Sequence, residues 1–241
     1  MLYYPQQGRR MWLDQLPNFF GDAAVWLQLD HPHILRLLGS YAAPHLCYVV
    51  SRAAGGTCRD YLQAHPSTDI LELALQVAEG LEYMHTRAPS IVHGDVRAHS
   101  VVVFADGNAA LWNFDFRPEA DPASGFDRTA FEHPSQNRWA SPERLLFGEY
   151  NAPSDVWGFG MFMWELFSGR VPFDNLGGLG TKIFDAILDL HLPERPDHAQ
   201  LDNAVWGIIT SCWQRQPAAR LCISEVVERI RSVLRQRTVP G

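Results

Sequence analysis

The sequence predicts an α+β protein, with a small β-containing part early in the chain and a mainly α-helical remainder. Three observations lead there. Two short apolar runs with β-branched and aromatic residues, Ile34 to Tyr41 and Leu46 to Val50, read as neighbouring strands of a small sheet. Ile70, Leu71, Ala74, Leu75, Val77, Ala78, Leu81 and Met84 trace one broad apolar face at helical spacing. Asp155 to Phe167, DVWGFGMFMWELF, is apolar on nearly every side, the pattern of a helix buried all round in a large domain.

In chain order, the first element is a helix over Phe20 to Leu29, with Phe20, Ala23, Ala24 and Leu27 at helical spacing and His31-Pro32 as its stop. The two strand-like runs follow. Ala53-Ala54-Gly55-Gly56 then reads as a flexible joint, and the Ile70 to Met84 helix comes next. Val101 to Phe104 and Ala109 to Trp112, joined by Ala105-Asp106-Gly107-Asn108, form a β-hairpin with an Asp-Gly turn signal. The stretch Arg117 to Asn137 is polar, is broken by Pro118, Pro122 and Pro134, and is long enough that a functional role is expected of it. After the Asp155 helix, three more are expected around Thr181 to Leu188, Asn203 to Trp213 and Glu225 to Arg235, the last with Val226, Ile230 and Val233 on one face.

The chain has 241 residues and a formal net charge of −7, enough length and apolar content for a core without staples. An acidic balance argues against nucleic acid as a partner, because phosphate backbones are held by clustered Lys and Arg. Cys47, Cys58, Cys212 and Cys222 are scattered, without zinc-site spacing or the density of a disulfide scaffold, so a reducing, intracellular setting in cytoplasm or nucleus is expected. No apolar run approaches the ~20 residues of a membrane span, and no membrane partner is expected. Lys182 is the only lysine; arginine supplies every other fixed positive side chain.

Set in this order, several motifs resemble the eukaryotic protein kinase domain, most like the tyrosine-kinase-like group of serine/threonine kinases, over nearly the whole chain. Phe19 to Ile34 resembles the regulatory helix with its His-Pro ending, and Leu46 to Leu62 the strand, hinge and helix that hold adenine. His93-Gly94-Asp95 stands where the family writes His-Arg-Asp, and Asn113-Phe114-Asp115 where it writes Asp-Phe-Gly. Arg138 to Glu143 resembles the end of the activation segment, Ser154 to Gly160 the central buried helix, and Cys212-Trp213 with Arg220 the late helices. The resemblance implies a two-lobed kinase-like fold: a partial N-lobe over residues 1–51, a hinge over 52–56 and a C-lobe over 57–241.

The resemblance also assigns site residues. Asp95 falls at the catalytic base and Arg97 at the basic position that reaches the γ-phosphate. Val50, Ser51 (the gatekeeper position) and Ala53 fall along the adenine site, and Ser100 and Asn113 at the two metal-ligand positions. Glu143 and Arg220 are implied as a buried ion pair, Asp155 as the acceptor for the catalytic-loop backbone near His93, and Asp22 as the acid of the regulatory helix. His93, Phe114, Trp26 and Leu37 fall where the family stacks an apolar column linking the lobes.

Several groups that the chemistry needs are replaced. Magnesium favours carboxylate oxygens, and neither Ser100 nor Asn113 supplies one. An alternative register, Asp115-Phe116-Arg117, would restore the carboxylate, but the separation of Asp95 from Asn113 matches the family spacing. No Gly-rich loop and no lysine precede the Phe20 helix. Arg9 or Arg10 could stand near the lysine position, although a forked guanidinium is not a geometric substitute for a compact ammonium, and their simpler reading is a solvated surface pair. Gly94 replaces the arginine that receives the activation-loop phosphate, which weakens any role for phosphorylation of Ser124, Thr129 or Ser135. The expectation is therefore a pseudokinase with a truncated N-lobe, acting by binding a protein partner. The alternative is an active serine/threonine kinase that uses ATP and magnesium on a protein substrate with Asp95 as base.

Overall fold

A computed structural model describes residues 2–3, 20–41, 47–50, 56–115, 137–177 and 180–238. Two small β units and a helical body make up this architecture. β1 (Leu2–Tyr3), β2 (Leu37–Tyr41) and β3 (Cys47–Val50) form an antiparallel sheet of order β1-β3-β2, with Leu2 opposite Tyr48 and Leu37 opposite Val50. β2 begins three residues later than the apolar run suggested. Ile34 instead makes an isolated bridge to Leu111, and Leu35 N–H bonds the Leu111 carbonyl, which stitches this stretch to the second β unit. That unit is the hairpin of β4 (Val101–Val103) and β5 (Ala109–Leu111), turning at Gly107 with φ 82°.

The first helix, α1, covers residues 20–26 among those described and buries Ala23 and Trp26. α2 (Cys58–Ala64) opens on a capping box between Thr57 and Asp60. α3 (Ile70–His85) is capped by Asp69 and buries the apolar face seen in the sequence. α4 (Pro142–Phe147) follows the Ser141 cap, whose hydroxyl accepts from Arg144 N–H.

α5 (Ala152–Ser168) is the hub. It starts on an Asn151–Ser154 capping box, ends on Gly169 at φ 65°, and every residue from Ser154 to Phe167 is buried. Its Gly160 admits the neighbouring element: a Cβ there would lie 2.7 Å from Trp213 Nε1 and 2.8 Å from Cys212 Cβ. α6 (Gly180–Leu188), α7 (Asn203–Cys212) and α8 (Ile223–Thr238) complete the body, with α7 packed on α5 and α8 on α3. Cys58, Cys212 and Cys222 are free thiols, and burial pushes Cys212 up to about 12. Among the described residues no helix is long and apolar enough to cross a membrane.

Candidate active-site cleft

The loop from Val92 to Ser100 runs between α3 and β4, and two acids of α5 hold it from below. At one end of the helix Asp155 is fully enclosed. Its Oδ2 accepts from His93 N–H at 2.7 Å and from His85 Nε2 at 2.8 Å, and its Oδ1 accepts from Gly94 N–H at 2.9 Å. Burial alone would push this carboxyl up. The hydrogen bond and charge of His85, together with His93, outweigh burial and hold it below the usual range, so the residue is ionised.

Glu165 lies ten positions along, ~15 Å by helical rise. Its Oε2 accepts both Ala98 N–H and Trp139 Nε1–H at 3.0 Å, tying the loop to the stretch before α4. Burial raises its pKa, and the two donors offset only part of that.

Within this frame four nitrogen and oxygen donors converge on a single atom, Asp95 Oδ2. Arg97 Nε and Nη2 each lie at 2.9 Å, Asn113 Nδ2 at 3.0 Å and Ser100 Oγ at 3.3 Å. Asn113 Nδ2 also reaches Ser100 Oγ at 3.4 Å. Arg97 is further engaged, its guanidinium 5.6 Å from the Trp139 ring centroid. Asp95 N–H donates to His93 Nδ1 at 3.2 Å, and burial lowers the pKa of this enclosed imidazole, keeping it neutral. Asn113 sits at φ 58°, a left-handed conformation that asparagine tolerates better than most side chains.

The donor set does not suit magnesium. Ser100 and Asn113 direct hydrogens at Asp95, and the same oxygen of the cluster's one carboxylate already accepts from a guanidinium. Among the described residues no three His, Cys, Asp or Glu side chains converge as a metal site. Asp115, the carboxylate of the alternative register, faces elsewhere: its N–H donates to the His93 carbonyl at 2.8 Å and its Oδ2 lies 3.5 Å from Arg144 Nη2 of α4.

The apolar column passes through the same loop. Trp26 meets Phe114 edge-on at 5.2 Å and Phe114 meets His93 at 4.8 Å, while Leu37 is buried in the same core and Val50 packs on it. Trp26 Nε1–H donates to the Leu35 carbonyl at 2.5 Å, fixing the indole. Glu143 and Arg220 form a bidentate pair at 2.5 and 2.7 Å, with Arg220 also 5.1 Å from the Trp157 ring.

Asp22 is half-buried on α1. Ser51, Ala53, Arg9, Arg10, Phe116, Arg117, Ser124, Thr129 and Ser135 lie outside the described residues. No sequence motif marks His85, Arg144 or Glu165. Glu165 left a signal, a lone acid in an apolar run, whereas His85 and Arg144 look like ordinary surface residues until the chain is folded.

A small antiparallel sheet over a helical body, with a loop gripped by a buried aspartate of the central helix, is the architecture of a protein kinase domain. Residues 10–230 match the protein tyrosine and serine/threonine kinase family, and the chain belongs to that family. It is 29% identical over 223 residues to the megakaryocyte-associated tyrosine-protein kinase of Rattus norvegicus, covering 90% of this chain and 45% of that kinase. It is 27% identical over 227 residues to a mitogen-activated protein kinase kinase kinase of Drosophila melanogaster (90% and 19%). To the human mitogen-activated protein kinase kinase kinase 7 it is 26% identical over 220 residues (86% and 34%). The chain spans less than half the length of each of these relatives.

Proposed function

We propose that this kinase domain is catalytically impaired, a pseudokinase of serine/threonine type that acts by binding a protein partner. The observation that carries the reading is the saturation of Asp95 Oδ2 by Arg97, Ser100 and Asn113. Phosphoryl transfer needs metal to neutralise the phosphates. Here the side chains at both metal-ligand positions serve as hydrogen-bond donors to the base itself. The retained parts, Asp155 under the loop, Glu143 with Arg220, and the Trp26–Phe114–His93 stack, preserve shape. A stable closed shape is what a binding protein requires. The substrate or partner is a protein, by analogy with the family, and the compartment is the intracellular one implied by four scattered cysteines.

A radiometric phosphotransfer assay with magnesium and with manganese, run beside Asp95→Asn, tests this. No transfer above the Asp95→Asn background is expected. Turnover that disappears in Asp95→Asn would overturn the proposal. A thermal scan with ATP gives a second reading: occupancy at one hundred times Kd would add about 2.7 kcal/mol, or about 5–11 °C in a domain of this size. No such shift is expected with either metal.

A further inference from the structure

We propose that Arg144 is a positioning residue that pins the chain at Asp115 to the catalytic loop, so that this seat is set by an ion pair carried within the domain. Arg144 belongs to α4, fifty residues beyond Gly94. Its Nη1 donates to the Gly94 carbonyl and its Nη2 lies 3.5 Å from Asp115 Oδ2. The guanidinium lies 4.4 Å from the Tyr150 ring centroid, which holds its plane, and α4 is itself anchored by the neighbouring Glu143 in its bidentate pair with Arg220.

The backbone explains why the cation comes from a distance. Gly94 has φ 81°, and a Cβ on it would stand 2.5 Å from the Asp115 carbonyl oxygen and 3.1 Å from its Cβ. No side chain, an arginine included, fits at position 94 while Asp115 occupies this place. The close approach lets Asp115 N–H reach the His93 carbonyl at 2.8 Å, next to the Phe114 ring that stacks on His93. The missing side chain at 94 and the incoming guanidinium of Arg144 are thus two halves of one arrangement. A cation at 94 would have to move Asp115, whereas a cation from α4 fastens it. Because the charge is permanent, the seat at Asp115 requires no phosphate to form.

Backbone amide exchange measured by NMR on the full chain separates this from a passive contact. In Arg144→Met, and equally in Asp115→Asn, the Asp115 amide should exchange about tenfold faster, while the His93 and Gly94 amides bonded to Asp155 change by less than about twofold. Raising salt from about 0.05 to about 0.5 M should speed Asp115 exchange in the wild type and leave both variants unmoved, as an ion pair one-third or less exposed still feels partial screening. Asp115 exchange that is unchanged in Asp115→Asn overturns the proposal, whether or not Arg144→Met folds. So does acceleration in Arg144→Met alone, which would place the effect in the Gly94 hydrogen bond, and so does a wild type indifferent to salt.

Discussion

Asn113→Asp restores the carboxylate that the kinase motif carries, and here it should destabilise the free domain. In the wild type, Asn113 Nδ2 donates to Asp95 Oδ2 at 3.0 Å. The substitution removes a hydrogen bond to a charged acceptor, about 1.5–3 kcal/mol. It also brings two carboxylates to that separation, where an effective dielectric of about 20 sets an upper bound of about 5.5 kcal/mol of repulsion. Arg97, at 2.9 Å from the same oxygen through both Nε and Nη2, cancels a large part of that repulsion. The φ of 58° at residue 113 suits Asp as well as Asn, so the backbone adds no cost.

A net loss of about 3 kcal/mol is expected, which lowers Tm by about 6–12 °C in a domain of this size. The pH dependence has a definite sign. Repulsion raises the proton affinity of the folded pair above its unfolded value, so stability is retained at low pH and lost as pH rises through the raised value. The deficit should be about half its full size near about pH 5 and full near about pH 8. Magnesium or manganese should recover part of it, since paired carboxylates are what such ions bind. Circular dichroism melts across this range, with Asn113→Ala as the charge-free control, provide the measurement. A variant as stable as wild type at about pH 8, or a deficit equal at both ends of the range, would refute the assignment of the Asn113 amide to Asp95.

Two further outcomes follow from the frame around the loop. Arg220→Met strands the Glu143 carboxylate in the interior and should cost about 3–5 kcal/mol in chemical denaturation, with an unchanged m-value if only stability is affected. Glu165→Gln should stabilise at neutral pH, because its amide oxygen can accept Ala98 N–H and Trp139 Nε1–H as Oε2 does, without burying a charge. Its sign in pH is equally specific. Burial holds the folded Glu165 above its unfolded value, so wild-type stability falls as pH rises from about 4.5 through the raised value, and the advantage of the glutamine variant grows over that same window. Urea titrations on either side of it would show an advantage that does not change if Glu165 carries no such shift.

The α3 and α5 helices and the β4–β5 hairpin were legible because periodicity and the Asp-Gly turn are local signals. The apolar run extends ahead of β2 because Ile34 and Leu35 are apolar for another reason: they join the Leu111 end of the hairpin, a partner far away in the chain. β1 pairs with β3 across more than forty residues, and a two-residue strand has no pattern to detect. In the cleft, Asp95, Ser100 and Asn113 could be named from motif spacing. Their shared focus on one oxygen could not, because a side-chain hydrogen-bond direction depends on rotamers fixed by surrounding packing.

The sequence by itself therefore determined the α+β class, the helical body, and the chemical groups at the motif positions of the cleft: no carboxylate at Asn113, a hydroxyl at Ser100, no side chain at Gly94. Composition along a chain is decided before folding, so such presences and absences hold in any conformation. Only the tertiary structure decided how those groups are used. It turned Arg97, Ser100 and Asn113 onto Asp95, set Glu165 beneath Trp139 and Ala98, and brought Arg144 across fifty residues to Gly94, with Asp115 beside it. Apart from those of Arg97 and Ser100 with Asp95, these contacts join residues distant in the chain, and their geometry comes from the packing of α4 and α5 against the loop, which no local pattern encodes.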